Sequence, residues 1–447
     1  MIAEGTYQFL GFFDAFSIVL WSFILLYLIN STYQKNITST HYKYYKRGFY
    51  FKFFAALIFS TIYIYKYGGG DTTAYWDTAQ KFSNLLLIKP SNFFEEMTTL
   101  APMSSRYYSF DVSTGVPPVW IYNEYEGLFA SKVFALLSLI TFRSYFAMTM
   151  ICSYISFKAS WKLYEMAIKY NAGTERNLAI GALFLPSTAF WCTGISKDTI
   201  VYCCIIYALF YLFKFINKNE QKGFKIFAFL FIIYFLLANI RSFMIITAIG
   251  PFFVAVGIRW SNRQNNSFSK ISIQLVMLLL IVLGMSSFFN SEKAIKITQE
   301  AQVIQSDLKN NREYGGLKYD LGITDFSPTG MLKAMPISIY TSFYRPYLWE
   351  AGSLFILISA METFVFLILS ILLFFRSGLF FAIAKIRENE FLIMAITFAL
   401  ILGFFAGFTS GLFGVLVRFK APLLPFLFIV LTMNIKNNKP LSIENEK

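Results

Sequence analysis

Long apolar runs recur along this chain, and they restrict its fold more than any other feature. Roughly eleven can be traced, at 8–30, 48–66, one within 128–158, 177–194, 199–216, 224–240, 242–258, 272–289, 351–375, 389–412 and 417–434. Each is bounded by charge or by clusters of Gly, Pro and Asn. A bilayer core leaves backbone groups no water to bond, so a spanning segment closes its hydrogen bonds within a helix of about 20 residues. The pattern predicts an all-α polytopic membrane helix bundle, a single integral membrane domain over residues 1–447. Composition agrees: 56% of the residues are hydrophobic and 14% charged, against roughly 45–50% and 25% in soluble domains. A soluble enzyme and a disordered chain are both excluded. The region 128–158 is read either as one span with a re-entrant piece or as two short helices broken near Arg143.

Charge sets the expected orientation. Segments 31–47, 158–176, 214–225, 259–270, 376–390 and 435–447 hold 21 Lys+Arg and 7 Asp+Glu, a surplus equal to the whole formal charge of +14. They fall on one side if 128–158 crosses once. The positive-inside rule then puts them in the cytoplasm, with the N-terminus outside and the C-terminus inside. Topology accounts for the basic balance, and nucleic acid is not an expected partner. The first run lacks a small-residue cleavage pattern and is read as a retained span.

The sequence also closes off some chemistry. His41, the single histidine, lies in a Lys-rich polar stretch, a poor place for a catalytic or metal-binding imidazole. Cys152, Cys192, Cys203 and Cys204 sit in apolar runs without zinc or redox spacing. They are read as lipid-facing or packing residues, with no disulfide.

Two long segments, 67–127 and 290–350, fall outside under this topology. Loops of that length in a compact protein are usually functional. The first carries seven acids and three bases; the second has a polar amphipathic stretch at 292–313, then Tyr314-Gly315-Gly316. Conspicuous charges gather at the same outer boundary. Asp71 and Asp77 follow the second run, with Tyr75 and Trp76 between them. Lys197 and Asp198 occupy one short turn and Arg241 another. Arg345 and Glu350 precede the 351–375 run, Glu362 lies inside it, and Arg418 and Lys420 open the last. Charge at membrane depth costs about 2.5–3.5 kcal/mol at the centre and less near the interface, so it is kept for pairing or for a ligand. Bland readings stand beside the functional one. Lys197 and Asp198 suit a solvated turn with a snorkelling lysine. Arg418 and Lys420 suit boundary anchors, Arg241 the closing of its turn, and Asp71 an N-cap. Glu362 is expected to pair with a cation from another span. The three glycines before Asp71 allow positive φ and close approach of a ligand.

The segment GGGDTTAYWDTAQKF, just after the second run, resembles the Gly-Asp-x-x-x-Tyr region of bacterial exopolysaccharide and O-antigen repeat-unit polymerases. More broadly it is similar to membrane glycosyltransferases of the GT-C type. The resemblance implies a GT-C-like bundle in the bacterial inner membrane, acting on a polyprenyl-phosphate- or pyrophosphate-linked sugar donor and a glycan acceptor for cell-surface polysaccharide. It implies that Asp71 serves as base or metal holder, so no cofactor is certain and a divalent metal is allowed. By position it implies that Arg241, Arg345 and Arg418 hold lipid pyrophosphate. Lys197 and Lys420 join them as cations at the depth of lipid phosphates; Asp77, Asp198, Tyr75, Trp76, Glu350 and Glu362 are supporting residues. The sequence departs from the pattern in two ways: no second acid follows Asp71, and no outer loop is arginine-rich. A flippase of lipid-linked sugars and a non-catalytic membrane assembly protein remain alternatives.

Overall fold

The computed structural model describes Phe9 and residues 11–100, 103–216, 223–266, 268–273, 316–323 and 325–434, with a few isolated positions between 276 and 307. Most of the run at 272–289 and of the stretch at 292–313, with Tyr314-Gly315 and the basic tail 435–447, falls outside the described residues. Among those described there is no β-strand, only an isolated bridge between Lys318 and Leu412. In chain order the helices are α1 Phe12–Lys35, α2 Tyr45–Tyr65, α3 Asp71–Ile88, α4 Pro90–Thr98, α5 Ser104–Tyr107, α6 Val119–Asn123, α7 Tyr125–Ile140 and α8 Tyr145–Lys169. After these come α9 Glu175–Leu183, α10 Pro186–Trp191, α11 Lys197–Ile216, α12 Gly223–Ile240 and α13 Phe243–Asn262. The described chain closes with α14 Pro328–Tyr344, α15 Leu354–Ser377, α16 Leu379–Glu388, α17 Glu390–Thr409, α18 Phe413–Phe419 and α19 Leu424–Leu431.

Seven helical stretches among the described residues are long and apolar enough to cross a membrane: α1, α2 with the turn before it, α11, α12, α13, α15 and α17. Two bent pairs raise the number to nine if each is one span. Three expected runs change shape. The 128–158 run is α7 and α8, bent by 109° at the break near Arg143. The 417–434 run belongs to α18 and α19, bent by 70°. The 177–194 run is not one helix: it stops at Leu183 and restarts at Pro186, because proline lacks the N–H an inner turn needs and clashes with the carbonyl four residues back. A proline in the first helical turn loses nothing.

The chain packs as two compact units: Met1–Lys162 with Ala189–Ile245, and Leu163–Thr188 with Ile246–Lys447. In unit one the first long segment between apolar runs folds into α3 to α6. Helix α3 packs along α7 and buries Tyr75, Trp76, Phe82, Phe110, Tyr122 and Phe134 in one core. The sharp turn between α7 and α8 holds Phe142 and Arg143 at φ 49° and 66°. Its carbonyls are met from two other helices. Ser17 Oγ donates to Thr141 O (2.6 Å) and Trp21 Nε1 to Ile140 O (3.1 Å), while Trp76 Nε1 and Gln80 Nε2 both donate to Arg143 O (2.8 and 3.1 Å). Irregular backbone at membrane depth survives only where such partners exist. A seam of buried hydroxyls joins α8 to its neighbours: Ser60 with Thr149 at 3.0 Å, Thr72 with Tyr145 at 3.0 Å and Ser160 with Tyr202 at 2.6 Å.

In unit two the second long segment is less loop than expected. It contains α14, which packs along α17. Gly403 and Gly407 make the approach close. A Cβ at 403 would stand 2.8 Å from the Phe343 ring, one at 407 would overlap the Ser338 backbone, and Ser342 Oγ donates to Gly403 O at 2.5 Å. Small residues four apart, with a hydroxyl bond across them, are how helices associate in lipid, where apolar burial gives no drive.

Candidate functional site

Most of the charged residues singled out above, Asp71, Asp77 and Arg418 excepted, gather into two clusters, one in each unit. In unit one, Lys197 and Asp198 open α11 and Arg241 follows the end of α12. Arg241 Nη1 donates to Asp198 Oδ1 at 2.6 Å, and the Asp198 side chain is fully buried. Lys197 bonds Glu124 and lies 3.6 Å from Glu126. These two carboxylates, at the start of α7, keep 39% and 43% of their side-chain surface exposed. Tyr125 between them bonds Asn239 of α12. Gly127 leaves room for the cluster: a Cβ there would sit 2.6 Å from Glu124 Oε2 and 3.5 Å from the Tyr75 ring. The cluster has three carboxylates against two cations, so it is not a surplus of positive charge.

Asp71 is the first residue of α3 and half-buried. The cap is Gly70, not Asp71. Gly68, Gly69 and Gly70 take φ of 65°, 128° and 144°, values that strain any residue with a side chain. Gly70 also packs against Tyr63, whose ring would meet a Cβ at 3.1 Å. Asp77 is buried and paired with Lys81 one turn on, at 2.8 Å. Tyr75 and Trp76 are core residues, Tyr75 stacked on Phe134 and Trp76 holding the α7–α8 turn. Neither offers an open ring to a sugar.

In unit two, Arg345 leaves the end of α14. Its Nε donates to both oxygens of Glu350 at 3.1 and 3.2 Å, and Nη2 also bonds Oε1. Its guanidinium lies over Tyr319 (4.9 Å) and Phe413 (5.1 Å), which stack on one another at 4.7 Å. Burial pushes the Tyr319 phenol well up, so it remains protonated. Arg345 Nη1 donates to no group among the described residues. Lys420, wholly buried at the α18–α19 bend, donates to Arg345 O at 2.5 Å. Glu362 of α15 accepts the Ser187 N–H with both oxygens at 3.2 Å, and Thr188 Oγ1 donates to Ala421 O at 2.8 Å. The expected cation partner of Glu362 is thus a backbone N–H at a helix break, with Lys420 acting on it only through its charge. Arg418 lies half-buried in the last turn of α18.

Sequence reasoning missed Glu124, Glu126, Tyr319 and Ser187. It also passed over Lys52, buried inside α2, with Ser156 Oγ at 3.4 Å and the Tyr202 ring at 4.9 Å. Two acids flanking Tyr125 were visible as spacing; the others carry no sequence signal. The four cysteines are buried and free. Among the described residues no three His, Cys, Asp or Glu side chains gather as a metal site. No protein-family model matches the chain, and no curated protein or solved structure is significantly similar to it.

Proposed function

We propose that this protein is an integral membrane glycosyltransferase or repeat-unit polymerase. It acts at the outer face of the bacterial inner membrane on polyprenyl-(pyro)phosphate-linked sugars, in the synthesis of cell-surface polysaccharide. The observation that carries the reading is Arg345. Glu350 holds one edge of its guanidinium and two aromatic rings its face, while Nη1 bonds no other described residue. A cation fixed this way suits an anion whose charge grows as a sugar–phosphate bond breaks, since a preorganised donor needs no rearrangement at that moment. Arginine matches phosphate oxygens in a way lysine does not. Lys420, on the Arg345 carbonyl, and Arg418 add positive charge in the same unit; the role of Asp71 as base toward the acceptor hydroxyl rests on the resemblance alone.

The test is complementation of a knockout in the source bacterium with wild type, Arg345→Ala, Arg345→Lys and Asp71→Asn at matched membrane levels. The reading expects loss of long polysaccharide, with lipid-linked units accumulating outside. A second reading, a flippase of the same lipids, is favoured by the helix breaks at Leu183–Pro186 and at Lys420, tied by the Thr188–Ala421 bond. Paired discontinuous helices build transporter sites. Accumulation on the cytoplasmic side would favour it. Wild-type behaviour of all three variants would leave a non-catalytic assembly role.

A further inference from the structure

Three rings lie within 6 Å of the Arg345 guanidinium: Tyr319, Phe413 and, at 5.8 Å, Tyr347. Trp349 stacks on Tyr347 at 4.9 Å and 25° and keeps 81% of its surface exposed. Two bonds fix Tyr347. Glu350 Oε2 accepts the Tyr347 N–H at 2.8 Å, closing the short turn Leu348–Glu350. The Tyr340 and Tyr347 hydroxyls share a bond of 2.7 Å. Burial pushes the Tyr347 phenol up to about 12, so it serves as a neutral hydroxyl at any physiological pH.

We infer that the exposed face of Trp349 is a docking ledge for a neutral pyranose ring of a glycan chain. A sugar presents a flat face of C–H groups, slightly positive, and an aromatic face is negative. An aromatic residue that only anchors a helix at the lipid boundary needs no bracing. Trp349 is backed by Tyr347, which is itself held at its N–H by Glu350 and at its hydroxyl by Tyr340. That bracing fixes the plane of the outermost ring, which stacking requires and anchoring does not. The inference rests on the proposal that the protein handles glycans, and names where the chain is held rather than where it reacts.

The experiment uses the full-length protein in nanodiscs, as wild type, Trp349→Ala and Trp349→Phe. The probes are maltohexaose, chitohexaose and oligosaccharides hydrolysed from the surface polysaccharide of the source cells. The difference in emission between wild type and W349F isolates Trp349. The ledge predicts that this emission responds to at least one probe and is not quenched by brominated phosphatidylcholine. W349A should bind that probe about tenfold more weakly and W349F within about threefold. Quenching by brominated lipid, no response to any probe, or equal binding by W349A would overturn it. Transfer from a lipid-linked donor is measured in the same nanodiscs. Trp349-dependent binding without transfer would sink the transferase proposal and leave the ledge; transfer with W349A binding unchanged would sink the ledge alone.

Discussion

The two charged clusters solve the same problem in different ways. In unit one, charge is met by charge: Arg241 by Asp198, Lys197 by Glu124 and Glu126. In the cluster of unit two, among the described residues, only Arg345 and Glu350 follow that rule. Lys420 and Glu362, both buried, spend their bonds on backbone instead, on Arg345 O and the Ser187 N–H. The two backbone groups stand at helix ends: the Ser187 N–H opens α10 after the Leu183–Pro186 break, and Arg345 O follows α14. Such groups have no helical partner and need a protein group as urgently as an ion does. A charge in an apolar stretch therefore need not imply a countercharge.

The sharpest way to break this comparison is to orphan one partner in each unit. Asp198→Ala leaves Arg241 buried without its carboxylate, and removing one member of a buried pair costs about 3–5 kcal/mol. Thermal unfolding in detergent should show it, and the double variant Asp198→Leu/Arg241→Leu should recover more than half. If the single and double variants are equally destabilised, the pair is not what Asp198 is kept for. In unit two, Glu362→Leu strands one backbone N–H, with an expected loss of about 1–3 kcal/mol. Glu362→Gln, which keeps an acceptor, should cost less; a larger loss for Gln would point to a true ion pair. The close crossing of α14 and α17 gives an effect of similar size. Gly407→Ala must push the Ser338 backbone away, at about 1–3 kcal/mol. Gly414→Ala, with nothing within 4 Å of the new methyl, should be neutral or gain up to about 1 kcal/mol.

The smallest effects are in the segment between α3 and α6 of unit one, where two carboxyls respond to pH with opposite sign. Burial holds Glu96 above its ordinary value of 4.5, although Tyr122 donates to it at 3.0 Å. Its contribution is complete below 4.5 and is lost as pH rises through the raised value. Asp111 is held well below 3.8, first by its bond from Lys89 and then by Ser113 and Thr114. Its contribution is present above 3.8 and fades as pH falls. Stability profiles of Glu96→Gln and Asp111→Asn should therefore flatten on opposite sides of pH 4; flattening on the same side would contradict the assignment.

Much of the architecture could be read from apolar runs alone. The ends of α2, α12 and α15 fall within a few residues of expectation, and the break near Arg143 was one of two readings. What stayed hidden has physical reasons. Helix α14 is built on Met, Ser, Thr and two prolines, so its burial comes from shape against Gly403 and Gly407, which hydropathy does not register. Pro186 was visible, but a run of apolar residues on both sides masked the break. For the sites, sequence singled out Lys197, Asp198, Arg241, Arg345, Glu350, Glu362 and Lys420 without pairing them. Pairing depends on which helices pack together. Tyr75 and Trp76, supporting residues by their place in the sequence, are core residues in the fold, because aromatic type is visible in a sequence and burial is not.

The claim that matters most is that Arg345 presents a preorganised guanidinium edge to the phosphate of a lipid-linked sugar. It is tested most directly with purified protein in nanodiscs, a polyprenyl-pyrophosphate-linked donor from the source cells, and matched Arg345→Lys and Arg345→Ala variants, by following glycan transfer and donor binding. The account predicts transfer by wild type, a loss of at least about a hundredfold in the alanine variant, and incomplete rescue by lysine, which keeps the charge but not the fork. Donor binding and transfer unchanged in Arg345→Ala would contradict it.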